Sequence, residues 1–110
     1  MEITAAKAAV TERVAAVADE LLDVSHRIWE RPELCYEEHH AHDLLCDVLD
    51  GHGFAVERHA YGLDTAFAAR FGPADAAGPL VAMVCEYDAL PEVGHACGHN
   101  IIAAAGLGAA

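Results

Sequence analysis

A chain of 110 residues suffices for one small domain with a modest core and leaves no room for a second. Its 55% hydrophobic and 22% charged residues exclude a disordered tail. Eighteen acidic against six basic residues, a formal net charge of -12, argue against nucleic acid or an anionic membrane as partner, and no apolar run approaches the ~20 residues of a membrane span.

The N-terminal MEITAAKAAV lacks the basic start and continuous apolar stretch of a secretion signal. Cys35, Cys46, Cys85 and Cys97 show no CxxC pairing, so free thiols in a reducing cytoplasm are expected. From Thr4 to Glu30, Val10, Val14, Val17, Leu21, Val24 and Ile28 recur at helical spacing and predict one long amphipathic helix, too short for a convincing coiled-coil seam. Pro32 disfavours helix at Arg31 and closes the element. A second helix is expected to open at Glu37 and Glu38, whose charge suits a helix N-terminus, to bury Ala41, Leu44, Leu45, Val48 and Leu49, and to stop near Gly51. The histidines His39, His40 and His42 on this helix read as a solvated face rather than a metal cluster.

Two short strands, Phe54 to Ala60 and Thr65 to Phe71, follow with partial alternation around Tyr61 to Asp64. After the turn-rich Gly72 to Pro79, the run Leu80 to Cys85 is apolar on both faces and predicts a central strand covered on two sides. The closing segment IIAAAGLGAA predicts a helix with Asn100 as its N-cap; it stops without a cap or polar tail, so the chain reads as truncated. The order helix, helix, strand, strand, strand, helix is that of a layered α/β domain, where binding residues gather beyond strand C-termini. EYDALPEVGHACGHN occupies that place.

Cys97 and His99 stand two apart, so in an extended loop both side chains project to one side, and thiolate and imidazole are both good zinc ligands. A following helix N-terminus would also favour the thiolate. Two ligands do not complete a zinc site, and the spacing alone leaves chance pairing open. His95 could reach the same side, although a hydrogen-bonding role suits it better than ligation.

The whole stretch VCEYDALPEVGHACGHNIIAAAGLGAA resembles the aminoacylase-like zinc metallopeptidases and amidohydrolases, in the branch of aminobenzoyl-glutamate hydrolase, hippurate hydrolase and indoleacetyl-amino-acid amidohydrolase. Upstream, HRIWERPELCYEEHHAHDLL resembles that family's N-terminal helix pair around a Pro-Glu-Leu turn, so residues 1–110 match the N-terminal portion of its catalytic domain. The resemblance implies two divalent metal ions, zinc first and manganese or cobalt as alternatives, with Cys97 and His99 as ligands. It gives Asp88 the role of orienting a metal-binding histidine, while a turn-making Asp remains the plain alternative. Glu86 falls where related branches carry a metal-binding His and is read as lining the site rather than as a committed ligand.

The implied chemistry is hydrolysis of an amide bond in N-acyl amino acids, aminobenzoyl-glutamate or dipeptide-like small molecules, with a homodimer compatible with the complete protein. The family's general base is the first of two adjacent Glu residues downstream of the metal loop, and here the last acidic residue is Glu92. The pair Glu37 and Glu38 precedes the loop and does not map to it. The chain alone is therefore expected to be inactive. Two rival readings differ in class: a structural zinc or redox-sensing domain completed by Cys85 or His95, and a helical interaction module using the Val10 to Ile28 stripe.

Overall fold

A computed structural model describes residues Met1–Ala110. The expected first helix is present as two, α1 over Ile3–Ala16 and α2 over Ala18–Glu30. Val17 between them leaves helical geometry at φ -107, ψ 9, and its amide is shared between the Arg13 and Val14 carbonyls at 3.2 Å each. Only the C-terminal part of the predicted stripe packs: Val24 and Ile28 are fully buried, whereas α1 buries no residue and its Val10 and Val14 face solvent. The spacing specified an apolar face; the fold supplies it with a neighbour only from α2 onward.

Arg31 ends α2 just ahead of Pro32, as expected from the steric clash that proline imposes on the preceding residue. The next helix, α3, spans His39–Gly51. Its first turn is capped from a distance: the two carboxylate oxygens of Glu33 accept the His40 and Ala41 amides at 2.9 Å each. A carboxylate there satisfies two otherwise unpaired donors and complements the helix dipole. The predicted stripe is buried, Val48 partly so, and Gly53 provides the left-handed turn that follows, at φ 86.

One expectation for α3 fails. His42 is not on a solvated face but 1% exposed, stacked on His59 with ring centroids 4.8 Å apart and set against Cys46 Sγ at 3.8 Å. Its polar atoms are accommodated: Nδ1 meets Asp43 Oδ1 at 2.8 Å, and Nε2 faces the His59 amide at 3.4 Å. Position 42 lies one residue after Ala41 and four before Cys46, so it falls inside the apolar arc rather than opposite it.

Strands β1 (Ala55–Arg58) and β2 (Phe67–Arg70) form an antiparallel pair with Ala55 opposite Arg70 and Arg58 opposite Phe67. A single 3₁₀ turn at Ala60–Gly62 lies in the connection, where His59, Tyr61 and Gly62 all adopt positive φ. The final helix, α4, covers His99–Ala109. It lies against α2, where a Cβ at Gly108 would stand 2.8 Å from Leu21, and against the segment before the loop, where a Cβ at Gly106 would stand 2.8 Å from the Cβ of Cys85.

The core joins Val24 and Ile28 of α2, Ala41, Leu44 and Leu45 of α3 and Ala103 of α4, with Val48, Phe67, Tyr87 and Leu107 around it. The architecture is thus mixed α/β, four helices with one two-stranded sheet. The predicted central strand at Leu80 to Cys85 is not formed: residues 77–88 make no backbone-to-backbone hydrogen bond, and Leu80 and Val84 are each 87% exposed. A strand that is apolar on both faces needs sheet neighbours and covering layers, and β1 and β2 pair only with each other. The radius of gyration, 14.9 Å, exceeds the ~13 Å of a well-packed chain of this length, in keeping with an uncovered α1 and an unpaired apolar run.

Candidate functional site

The loop between the apolar run and α4 is pinned at both ends. The Ala89 amide donates to the Glu33 carbonyl at 2.7 Å, and Leu90 bridges to Gly94 across a tight turn. Gly98, in the left-handed region at φ 84, turns the chain into α4. His99 is therefore the first residue of the helix, and its ring points back at the segment preceding the loop.

That ring is held at both nitrogens. Nδ1 faces the Asp88 carboxylate at 2.7 Å and the Asp88 carbonyl at 3.0 Å, while Nε2 faces Glu86 Oε2 at 3.2 Å. The Asp88 carboxylate at Nδ1 fixes the rotation of the ring and leaves Nε2 on the side of Glu86, the way a carboxylate behind an imidazole orients it. Glu86, Asp88 and His99 are thus brought together. Cys97 is not joined to them by any hydrogen bond; its exposed, free thiol lines an open cleft of about 970 Å³ between α2 and the start of α4, with Leu22, Ser25, Trp29, His95 and Asn100.

Two neighbouring residues differ from expectation. Asn100 does not cap α4: it is buried and its side-chain amide donates to Ser25 Oγ at 3.1 Å, tying α4 to α2, while Gly98 takes the cap position. His95 is 8% exposed, and neither ring nitrogen makes a well-formed hydrogen bond. Desolvation, reinforced by His99 alongside, pushes the His95 imidazole below its ordinary range against the opposing pull of Asp88, the Ile28 carbonyl and Glu33. It stands neutral against α2.

The donor chemistry fits a divalent cation in part. Imidazole and thiol, the groups of His99 and Cys97, are suitable donor types, yet nowhere in the chain do three or more His, Cys, Asp or Glu side chains converge at metal-holding distance. A closed four-ligand site completed by Cys85 or His95 is accordingly absent: Cys85 packs on Gly106, and its thiol is raised by burial. The residues that sequence reasoning undervalues are Glu33, whose capping role is long-range, and Glu86. A signal for Glu86 exists, since it stands two before Asp88 and the same-side rule used for Cys97 and His99 applies equally to that pair.

No family model matches the chain. Curated relatives do, and each is named for cleaving a peptide or amide-linked substrate. Xaa-Arg dipeptidase of Mus musculus is 46% identical across 99% of this chain and 27% of its own length. One of the subunits of the p-aminobenzoyl-glutamate hydrolase of Escherichia coli is 30% identical over 92% of this chain and 24% of its own length, and thermostable carboxypeptidase 2 of Saccharolobus solfataricus is 32% identical over 88% and 28%. The chain belongs to the amidohydrolase and peptidase family of these proteins. It spans about a quarter of the length of the curated relatives it matches.

Proposed function

We propose that this chain contributes the His99 and Cys97 side of a metal-dependent hydrolase site that cleaves the amide bond of small dipeptide-like, N-acyl amino acid or aminobenzoyl-glutamate substrates. The observation that carries the reading is the Asp88 carboxylate 2.7 Å behind His99 Nδ1, which orients the ring, in a chain 46% identical to a dipeptidase. His99 and Cys97 would hold the metal, two divalent ions with zinc the first candidate and manganese or cobalt the alternatives. When bound, such an ion polarises a scissile carbonyl and acidifies a water toward neutrality.

What the chain itself does is positional. Asp88 fixes the rotation of His99, the Gly98 turn sets the ring at the head of α4, and the Asn100 bond to Ser25 anchors that head to α2. The cleft beside Cys97, walled by Trp29 and Leu22, gives a small substrate apolar surface to rest on. The four free cysteines agree with a reducing compartment. No helix of the chain is long and apolar enough to cross a membrane.

The test is metal content and hydrolysis of a panel of dipeptides and N-acyl amino acids, measured for the complete protein, for His99→Ala and Cys97→Ala, and for Asp88→Asn. Loss of bound metal with His99→Ala or Cys97→Ala and a fall of at least about a hundredfold in kcat/KM are expected, with Asp88→Asn costing roughly 10- to 100-fold in metal affinity. Unchanged occupancy and rate in both alanine variants would remove the assignment. The 110 residues alone are expected to hydrolyse none of the panel, because their donors do not converge.

A further inference from the structure

Far from the metal loop, α1 is tied to the rest of the molecule by little. It buries no residue, and the one side-chain hydrogen bond it makes outside itself runs from the Arg13 guanidinium to His52 Nδ1 at 3.1 Å, just past the end of α3. The other ring nitrogen, Nε2, meets Glu20 Oε1 of α2 at 2.5 Å. Arginine is a donor in every state it takes, so Nδ1 has to offer a lone pair to be bonded at all, and the ring proton lies on Nε2, toward an acceptor. An imidazolium would set an N–H and a second positive charge against the guanidinium and does not account for the contact. Beneath these three side chains is a cavity of about 260 Å³ that Leu49 of α3, Phe54, Phe71 and Leu107 of α4 line with apolar surface; Arg13, Glu20 and His52 are its only ionisable side chains.

We propose that α1 is a hinged arm over this cavity, latched through Arg13 and His52 while the imidazole is neutral and released when it takes a second proton. The hinge is Val17, which leaves helical geometry and splits its amide between the Arg13 and Val14 carbonyls at 3.2 Å each, the kind of element-terminal residue that absorbs a change of angle. The release has a direction. An imidazolium keeps Glu20, now with the opposite charge, so α2 and α3 stay joined, whereas the Arg13 bond is exchanged for repulsion between like charges. The latch therefore holds at neutral pH and is lost as pH falls and the imidazole charges, the change that histidine among side chains makes under mildly acidic conditions. Freed, α1 uncovers the cavity lining, including the Phe54 and Phe71 rings 5.1 Å apart, and turns a walled cavity into an exposed apolar face.

The experiment is NMR of the isotope-labelled protein at about pH 7.5 and about pH 5, on either side of the range in which imidazoles ordinarily charge. Ring-nitrogen chemical shifts show which nitrogen of His52 holds the proton, and amide relaxation shows whether α1 moves with α2. At the higher pH we expect the proton on Nε2 and α1 as ordered as α2. At the lower pH the α1 order parameters are expected to fall from about 0.85 toward about 0.6, with α2 and α3 unchanged. Arg13→Ala should free α1 at both pH values. His52→Gln, whose amide accepts from Arg13 and donates to Glu20 without titrating, should keep α1 ordered at both. A proton on Nδ1 at the higher pH, α1 order that ignores pH in the parent, or the same loss in His52→Gln would overturn the latch. So would loosening of α2 and α3 together with α1, which is general acid unfolding.

Discussion

Val24 and Val84 are the same residue in two apolar stretches of one chain, yet the first is 1% exposed and the second 87%. Val24 lies on α2, where α3 and α4 close over it. Val84 lies in a run whose backbone pairs with nothing, although as a stretch of sequence it is the more hydrophobic of the two. Burial here follows from the presence of a partner surface and not from local hydrophobicity. The α2, α3 and α4 nucleus therefore holds the structure together, whereas α1 and residues 77–84 contribute surface. The comparison can be broken at either end.

The largest effect should come from the nucleus. Leu45 is fully buried between α2 and α3, and truncating such a side chain removes its transfer free energy and leaves a cavity, together about 2–5 kcal/mol. Against the marginal stability of a small domain, Leu45→Ala is expected to lower the urea midpoint drastically or abolish the cooperative transition. A loss under about 1 kcal/mol would show that the nucleus is not the core.

A second test uses the acids inside the nucleus. Burial pushes the Cys46 thiol up to about 11 and raises the Tyr87 phenol, whose hydroxyl donates to the Thr65 carbonyl. Both groups are neutral when folded and give up their protons more readily in the unfolded chain, where a thiol titrates near about 8.5 and a phenol near about 10. The stability they permit is fully present below the unfolded value and is lost as pH rises toward the folded one, so stability should fall from about pH 9 upward. For Cys46 alone the loss approaches about 3 kcal/mol at its limit. Urea unfolding at a series of pH values checks the slope, and Cys46→Ala should flatten it. Thiol labelling adds a sharper contrast: Cys35 and Cys97 are expected to react at once and Cys46 only after unfolding.

The legibility of this chain follows the same division. The α3 stripe, the stop at Pro32, the β1–β2 pair and the final helix are readable because each depends on local periodicity or turn chemistry. The fate of α1 and of Leu80 to Cys85 is not, since an apolar face states a requirement without saying what meets it. His42 escapes because a polar residue is expected to face water, whereas Asp43, His59 and Cys46 satisfy it inside. At the site, spacing and resemblance point to Asp88, Cys97 and His99, and the structure brings Asp88 to His99. Glu86, expected to line the site, does stand against the outer nitrogen of His99, whereas the role of Asn100 escapes because its partner, Ser25 on α2, lies 75 positions away.

The smallest effects should come from the exposed stretches, and they are the most discriminating because the sequence pattern argues the other way. Val84→Ala in the apolar run and Val10→Ala in α1 are expected to change stability by no more than about 0.5 kcal/mol, the ordinary range for surface positions. Amides of residues 80–88, lacking backbone partners, should exchange with solvent near the rate of an unfolded peptide, while those in the middle of α3 exchange only through global opening. Protection across 80–88, or a cost above about 1 kcal/mol for Val84→Ala, would mean that the run has found a pairing edge in solution. A further rise in protection with protein concentration would place that edge on a second copy, since an unpaired apolar strand is a template for association.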